Sequence, residues 1–334
     1  MTQGPIEIIP GNTYKVRGTF EASVEFVGDE PEPPEEGFVL GRTEPTKEGQ
    51  YTPSAVTGPR VPETSLVNYA GSFDNLSDGD VVDRLIITGQ FNPDATDWIL
   101  RDSIVEGGVP PGGETDPMVR NAIWPLFDIR DGAVQAGRIE HCEARPTYQS
   151  HEIYGFKGGN CTLYRCLIRG VVDGAQPHGS GSNPAKKVAI LGTLIEDLAT
   201  FDDPNQSDGI THNDGSQASG ALDSYVLFGS SLKGGRTSAQ LIQQQSGTYG
   251  DILIGFNWLY GNPDTGSTLN TSQNGKGVIA ASGLFLVVGN RISKAGNTPH
   301  VLISESTLES PTFFWRNNTY IEDGSEVVPT KGSD

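Results

Sequence analysis

Between Ser207 and Gln217 the chain reads SDGITHNDGSQ, two Asp-Gly pairs with a histidine and an asparagine between apolar runs. Its titratable members are Asp208, His212 and Asp214; Asp202 and Asp203 precede them in FDDPNQSDG, and Asp223 follows. Carboxyls grouped in this way suit glycoside hydrolysis, which needs one protonated and one ionised carboxyl about 5–9.5 Å apart. Lyase chemistry would instead need a base and a charge clamp against a uronate, for which Lys233, Arg236 and His178 are available. Each residue also has a plainer reading. Asp-Gly loops are ordinary turn chemistry, and LKGGRTS, which holds Lys233 and Arg236, reads equally as a solvated turn. Asp208, His212 and Asp214 are thus the catalytic candidates. Asp202, Asp203, Gln217, Asp223, Lys233 and Arg236 are the candidate carbohydrate contacts.

Alternation sharpens the choice. In an extended segment His212, Asp214 and Ser216 share one face, and Asn213, Gly215 and Gln217 the other. With Ile210 pointing into a core, the His-Asp-Ser face points inward too, which predicts a buried hydrogen-bonded knot rather than an exposed catalytic set. Downstream, QLIQQQSGT supplies Gln240, Gln243, Gln244 and Gln245. Neutral amides in a row suit recognition of sugar hydroxyls, and equally a stacked amide ladder. Tyr148, Tyr154, Phe156, Trp258 and Tyr260 either stack on sugar rings or fill the core.

What must position these residues is legible in spacing. The 334 residues include 43 Gly and 22 Pro, and no helical stripe of 3.6-residue period runs beyond about three turns. Short β-rich runs such as DRLIITG, KVAILGTLIED and SGLFLVVGNRIS recur instead, bounded by Gly, Asn and Asp. Eight segments share an apolar residue, two variable residues, a small or polar residue, one variable residue, then usually another apolar one. The small or polar positions are Asp102, Cys142, Cys166, Thr193, Ser230, Asn257, Asn290 and Asn318. Constant local spacing with intervals of 24 to 40 residues describes one coil per repeat, with insertions emerging as loops. The fold expected is all-β, a right-handed single-stranded parallel β-helix, in which equivalent residues stack about 4.8 Å apart.

The ladder places Cys142 and Cys166 on adjacent coils as buried, reduced thiols. A metal site built from His141, Cys142, His151, Cys161 and Cys166 matches no ligand-spacing template, so neither a metal nor another cofactor is expected. Residues 1–28 alternate apolar and polar side chains and form an N-terminal β segment. Residues 29–64, with DEPEPPEEG, form a linker or extended arm lying along the coil or against a neighbouring chain. The β-helix spans 65–323, and 324–334 is a tail. Open coil ends expose strand edges, so terminal segments or partner chains must cover them. The formal charge of −19, with no basic cluster, excludes nucleic acid as a partner. No apolar run is long enough for a membrane-spanning helix. MTQGPIEIIPGNTY has no signal-peptide pattern, which implies synthesis in a cytoplasm.

HNDGSQASGALDSYVLFGSSL, followed by TSAQLIQQQSGTYGDILIGFNWLYG, resembles right-handed β-helix proteins of the pectate-lyase-like superfamily. Within it the likeness is to minor tail proteins, or tail spikes, of phages infecting actinobacteria. Their His-x-Asp-Gly-Ile-Gln element maps onto His212, Asp214, Gly215, Ser216 and Gln217, with Ser216 departing from the apolar residue of the pattern. The resemblance covers about residues 80–323 and is specific for fold. For activity it leaves lyase, hydrolase, epimerase and pure binding open. It implies a virion tail protein made in the host cytoplasm and homotrimeric. Its N-terminal segment would join other tail proteins, and its coil would bind host surface polysaccharide, with cleavage of that glycan as the alternative.

Overall fold

The computed structural model describes residues 57–108, 124–129, 136–179, 186–203, 206, 208–243, 249–261, 267–271, 283–294 and 299–332. The N-terminal β segment and most of the linker lie outside the described residues. Among the described residues the strands form three all-parallel sheets. Sheet A has ten strands, sheet B nine and sheet C eight. From Trp98 onward each coil passes through B, then A, then C: Cys161–Tyr164, Leu167–Arg169 and Asp173–Gly179 make one complete turn. The next coil pairs with it in parallel on every sheet. The chain is a right-handed parallel β-helix, the hand that parallel crossover connections take.

The core is built of stacked rows. Leu100, Ile139, Leu163, Ile190, Leu227, Ile254 and Val287 stand in register along sheet B, each with no exposed surface. Burying one such side chain contributes about 1.5–3 kcal/mol. The second row, on sheet A, runs through Ala144, Ile168, Ile195, Leu232, Leu259 and Ile292, also fully buried.

Between sheets B and A every coil makes the same bend. Arg84, Asp102, His141, Arg165, Gly192, Gly229, Phe256, Gly289 and Asn317 occupy it with φ between 46° and 67°. The residue after each of these has its N–H turned out of the strand ladder, and the side chain of the next coil receives it. Leu85 N–H donates to Ser103 Oγ (3.0 Å) and Cys166 N–H to Thr193 Oγ1 (3.3 Å). The series continues with Thr193 N–H to Ser230 Oγ, Ser230 N–H to Asn257 Oδ1 and Asn257 N–H to Asn290 Oδ1 (2.9–3.1 Å). The rungs are therefore small, polar and buried because each must satisfy a donor that the bend has orphaned.

Two features correct the sequence reading. The first rung is Ser103, not Asp102, because the register places Leu100 rather than Ile99 opposite Ile139. Asp102 is the bend residue, and its side chain points to the incoming arm. Arg60 grips it through its backbone N–H (2.9 Å), Nε (2.9 Å) and Nη2 (2.6 Å). Gly58 N–H donates to Arg165 O (2.9 Å), and Arg145 holds Glu63 through both terminal nitrogens, so residues 57–65 lie along the coil. The second feature is the C-terminus. The coil continues past Asp323: Thr330–Gly332 joins sheet C beside Val301–Ser304. Val327 is fully buried, and its carbonyl accepts from Trp315 Nε1 at 2.8 Å, so this tail covers the end of the core.

Cys142 and Cys166 occupy adjacent rungs as free thiols without exposed surface. Cys142 N–H donates to the Cys166 sulfur. Burial pushes the Cys166 thiol up to about 12 and Cys142 well above its ordinary value.

Candidate functional site

The opening motif starts as a corner and becomes a strand only at Asp214, where Asp214–Gly220 enters sheet C. Before it, residues 201–203 and 209–211 run antiparallel as a small hairpin. Thr211 N–H donates to Phe201 O and Asp203 N–H to Gly209 O, with an antiparallel bridge between Asp202 and Ile210. Asn213 pins the hairpin's base, its Nδ2 donating to Val172 O (3.1 Å) and to Ala199 O. Because 211–213 are not in strand conformation, the alternation expected from Ile210 onward does not hold. His212 is exposed and meets Asp208 at 3.3 Å rather than Asp214. The predicted His212–Asp214 knot is not formed.

A buried knot does exist, with other members. Ser216 faces the core, its Oγ 2.9 Å from Tyr225 OH, which donates to Gln240 Oε1 at 2.7 Å; Gln240 Nε2 donates to Leu241 O. All four residues are at most 1 % exposed. A polar residue at Ser216 is thus explained by its tyrosine partner.

The remaining candidates separate. Asp202 is exposed, Asp203 buried, and Asp208 exposed but held by Arg236 Nη1 at 2.8 Å. The Arg236 bond draws the Asp208 carboxyl down to about 2, so Asp208 serves as an ionised clamp on the hairpin, not as a proton donor. Lys233 meets Glu196 at 3.6 Å. Asp223 is exposed, at the entry to a sheet B strand, and belongs to a different face. Phe156 is core; Trp258 and Tyr260 stack 6.2 Å apart, and Tyr148 is exposed. Gln244 and Gln245 lie outside the described residues. Among the described residues no three His, Cys, Asp or Glu side chains converge on a possible metal position.

Beneath the hairpin the structure adds residues that the motif alone did not reveal. A small pocket is lined by His151, Glu152, Tyr154, Asp173, Asp203 and His212, among others. Asp173 starts the sheet C strand one coil before Asp214, and the two carboxyls stand on adjacent rungs. Asp214 N–H donates to Asp173 Oδ1 at 2.9 Å. Burial is the main cause that lifts Asp173, to about 7, with nearby Glu152 adding to it. Burial and then the Asp173 charge lift Asp214 well above the ordinary range. A sequence signal for Asp173 was present: Asp173–Gly179 reads DGAQPHG and Asp214–Gly220 reads DGSQASG, the same Asp-Gly-small-Gln start 41 residues apart. Gly174 and Gly215 recur because a Cβ at Gly174 would collide with Ile195 and the Gly215 carbonyl.

The same repeat organises the outer face of sheet C. Gln176 Nε2 donates to Gln217 Oε1 (3.0 Å), and Gln217 Nε2 to Gln243 Oε1 (3.2 Å). Beside this amide row His178 Nδ1 lies 3.1 Å from Ser219 Oγ. Burial, then Lys157 and Lys186, lower the His178 pKa, so the imidazole is neutral near pH 7. Gln176 and Gln217 are partly exposed, whereas Gln243 is buried and stands opposite Ser219, two residues along the strand from the position opposite Gln217. Compared with protein-family models, curated proteins and solved structures, the chain matches none.

Proposed function

We propose that this is a phage tail-associated β-helix protein that binds host surface polysaccharide through the outer face of sheet C. The observation that carries the reading is the hydrogen-bonded Gln176–Gln217–Gln243 row, in which Gln176 and Gln217 are partly exposed and Gln243 is buried. An amide both donates and accepts, so it pairs with sugar hydroxyls without bringing net charge. Gln176 and Gln217 on adjacent coils, about 4.8 Å apart, offer a polymer two contacts of one kind. In this reading residues 1–28 join the chain to other tail proteins, and the assembly is a homotrimer.

A second reading, glycan cleavage, is favoured by one specific observation. Asp173, with a carboxyl lifted into the range of a general acid at neutral pH, shares a pocket with Glu152 and Asp203. The test takes purified envelope polysaccharides from a panel of actinobacteria and measures binding and release of reducing ends. Binding that a Gln217→Leu change weakens at least tenfold, with no release, supports adsorption. Release that is lost in Asp173→Asn supports cleavage. Equal binding by wild type and Gln217→Leu would remove the amide row from the reading.

A further inference from the structure

The outer face of sheet B differs from the other two. On Lys187–Leu191, Ser224–Phe228, Asp251–Gly255, Phe285–Val288 and Phe313–Arg316 side chains alternate between the core and the outside. One outward row runs in register through Ala189, Val226, Leu253, Leu286 and Phe314. The row beside it runs through Leu191, Phe228, Gly255 and Val288. None of these positions carries a polar or charged side chain, although the chain as a whole has a formal charge of −19. Charges return in the same rows at Arg138 and Glu140 on an earlier coil and at Arg316 on the last. Val226 and Val288 are buried; Ala189, Leu191, Phe228, Leu253 and Leu286 are partly exposed, and Phe314 is exposed. Among the described elements, the main packing contacts of these strands are with their own sheet neighbours, so no described helix or strand lies across the face.

Two rows over five coils cover roughly 24 by 13 Å, on the order of 300 Å² in plan. An apolar patch of that size on a water-soluble surface marks an interaction site. Its occupant follows from the charge pattern. Copies related by rotation about an axis parallel to the coil set each residue against the same residue of the next copy, at the same height. A charged residue there meets its own charge, which is repelled, whereas an apolar residue meets an apolar one. Sheet B meets this condition from Ala189 to Phe314. Sheet A does not, with Glu143, Arg169, Glu196 and Lys233 facing outward, nor does sheet C, with Lys157 in register with Gln176. We propose that the outer face of sheet B, from Ala189 to Phe314, is the surface through which copies of this chain associate side by side with their coils parallel. The inference rests on the homotrimer of the reading above and names the face that forms it. Three such faces amount to on the order of 900 Å², which fits reversible rather than obligate association.

Sedimentation equilibrium of the full chain should give a mass that rises with concentration towards three times that of one chain. Leu253→Glu and, on another coil, Leu286→Lys should each lower it threefold, to one chain, with circular dichroism and the urea midpoint kept. A wild type that stays at one chain throughout the micromolar range overturns the proposal, as does a multiple that persists in either folded variant. Orientation is read with single cysteines, since the three native thiols are buried. Ala189 and Leu286 share a row three coils apart, about 14 Å. In parallel copies a short bismaleimide should link Ala189→Cys to itself and Leu286→Cys to itself, with no product joining one variant to the other in a mixture. Absence of self-linking at both positions, or linking only between the two variants, overturns the parallel face even where the charged variants do not fold. A trimer that survives the face variants removes this face and leaves the homotrimer standing. Polysaccharide binding by a wild type of single-chain mass removes both and leaves the glycan reading standing.

Discussion

Replacing Asn290 by leucine, which is close in volume but has no polar atoms, tests the physical basis of the rungs. Asn290 is fully buried, and its Oδ1 accepts from both the N–H and the Nδ2 of Asn257, at 3.0 and 2.9 Å. Its own Nδ2 donates to Ile254 O and to Asn318 Oδ1, both at 2.9 Å. Leucine leaves two of these partners an alternative. Asn257 Nδ2 still reaches Leu227 O, and Asn318 Oδ1 still receives the Asn290 backbone N–H. The Asn257 N–H, turned out of the strands by the bend at Phe256, keeps none. One buried orphan costs about 1–3 kcal/mol, and the weakened carbonyl of Ile254 adds to it, so a loss on the order of 3 kcal/mol is expected. Equilibrium urea unfolding, followed by tryptophan fluorescence and circular dichroism together, reads this as a lower midpoint with unchanged slope. Coincident traces are needed, because a stacked-coil protein can unfold in sections. An unchanged midpoint would refute the argument that rungs are polar to satisfy the bend.

Of the three buried thiols, Cys142 and Cys166 should react with a thiol reagent only at the rate of global unfolding; labelling of these two in native protein within minutes, located by peptide mapping, would place them elsewhere. At the arm, burial raises the Asp102 carboxyl, but the Arg60 bonds outweigh it and leave its pKa lowered. The clasp is therefore present at neutral pH and is lost as the pH falls below the ordinary carboxylate range. Asp102→Asn at pH 7 should speed tryptic cleavage after Arg60 by about tenfold or more with little change in the unfolding midpoint, and unchanged cleavage would show that Gly58 and Glu63 hold the arm without Asp102.

Spacing exposed the coil because the constraint behind it is local and repeated. An orphaned N–H at each bend demands a small acceptor on the next coil, and that demand leaves the same signature at Thr193, Ser230, Asn257, Asn290 and Asn318. Where two adjacent residues both suit the pattern, spacing alone cannot choose. Asp102 and Ser103 are such a pair, and only the pairing of Leu100 with Ile139 decides it. The closing tail was missed for a related reason. Its buried residue, Val327, stands alone between exposed neighbours, so no periodicity announces it.

The site was harder to see because its members meet across coils. Alternation from Ile210 failed at His212 because the chain there follows the hairpin, whose geometry comes from Phe201, Thr211 and Asn213 rather than from strand pleating. From Asp214 onward alternation holds: Ser216 faces in and Gln217 out. The informative comparison was between coils, DGAQPHG over DGSQASG, because stacking turns a 41-residue separation into a contact. Read that way, one heptapeptide repeat supplies three rows at once. Its aspartates form the buried pair under the hairpin, its glycines allow the close approach of the next coil (Gly174 to Ile195 and the Gly215 carbonyl, Gly215 to the Ala239 carbonyl), and its glutamines form the amide row. A change that shifts the register of one of these strands by a single residue would disturb all three together, because side chains one apart on a strand face opposite sides.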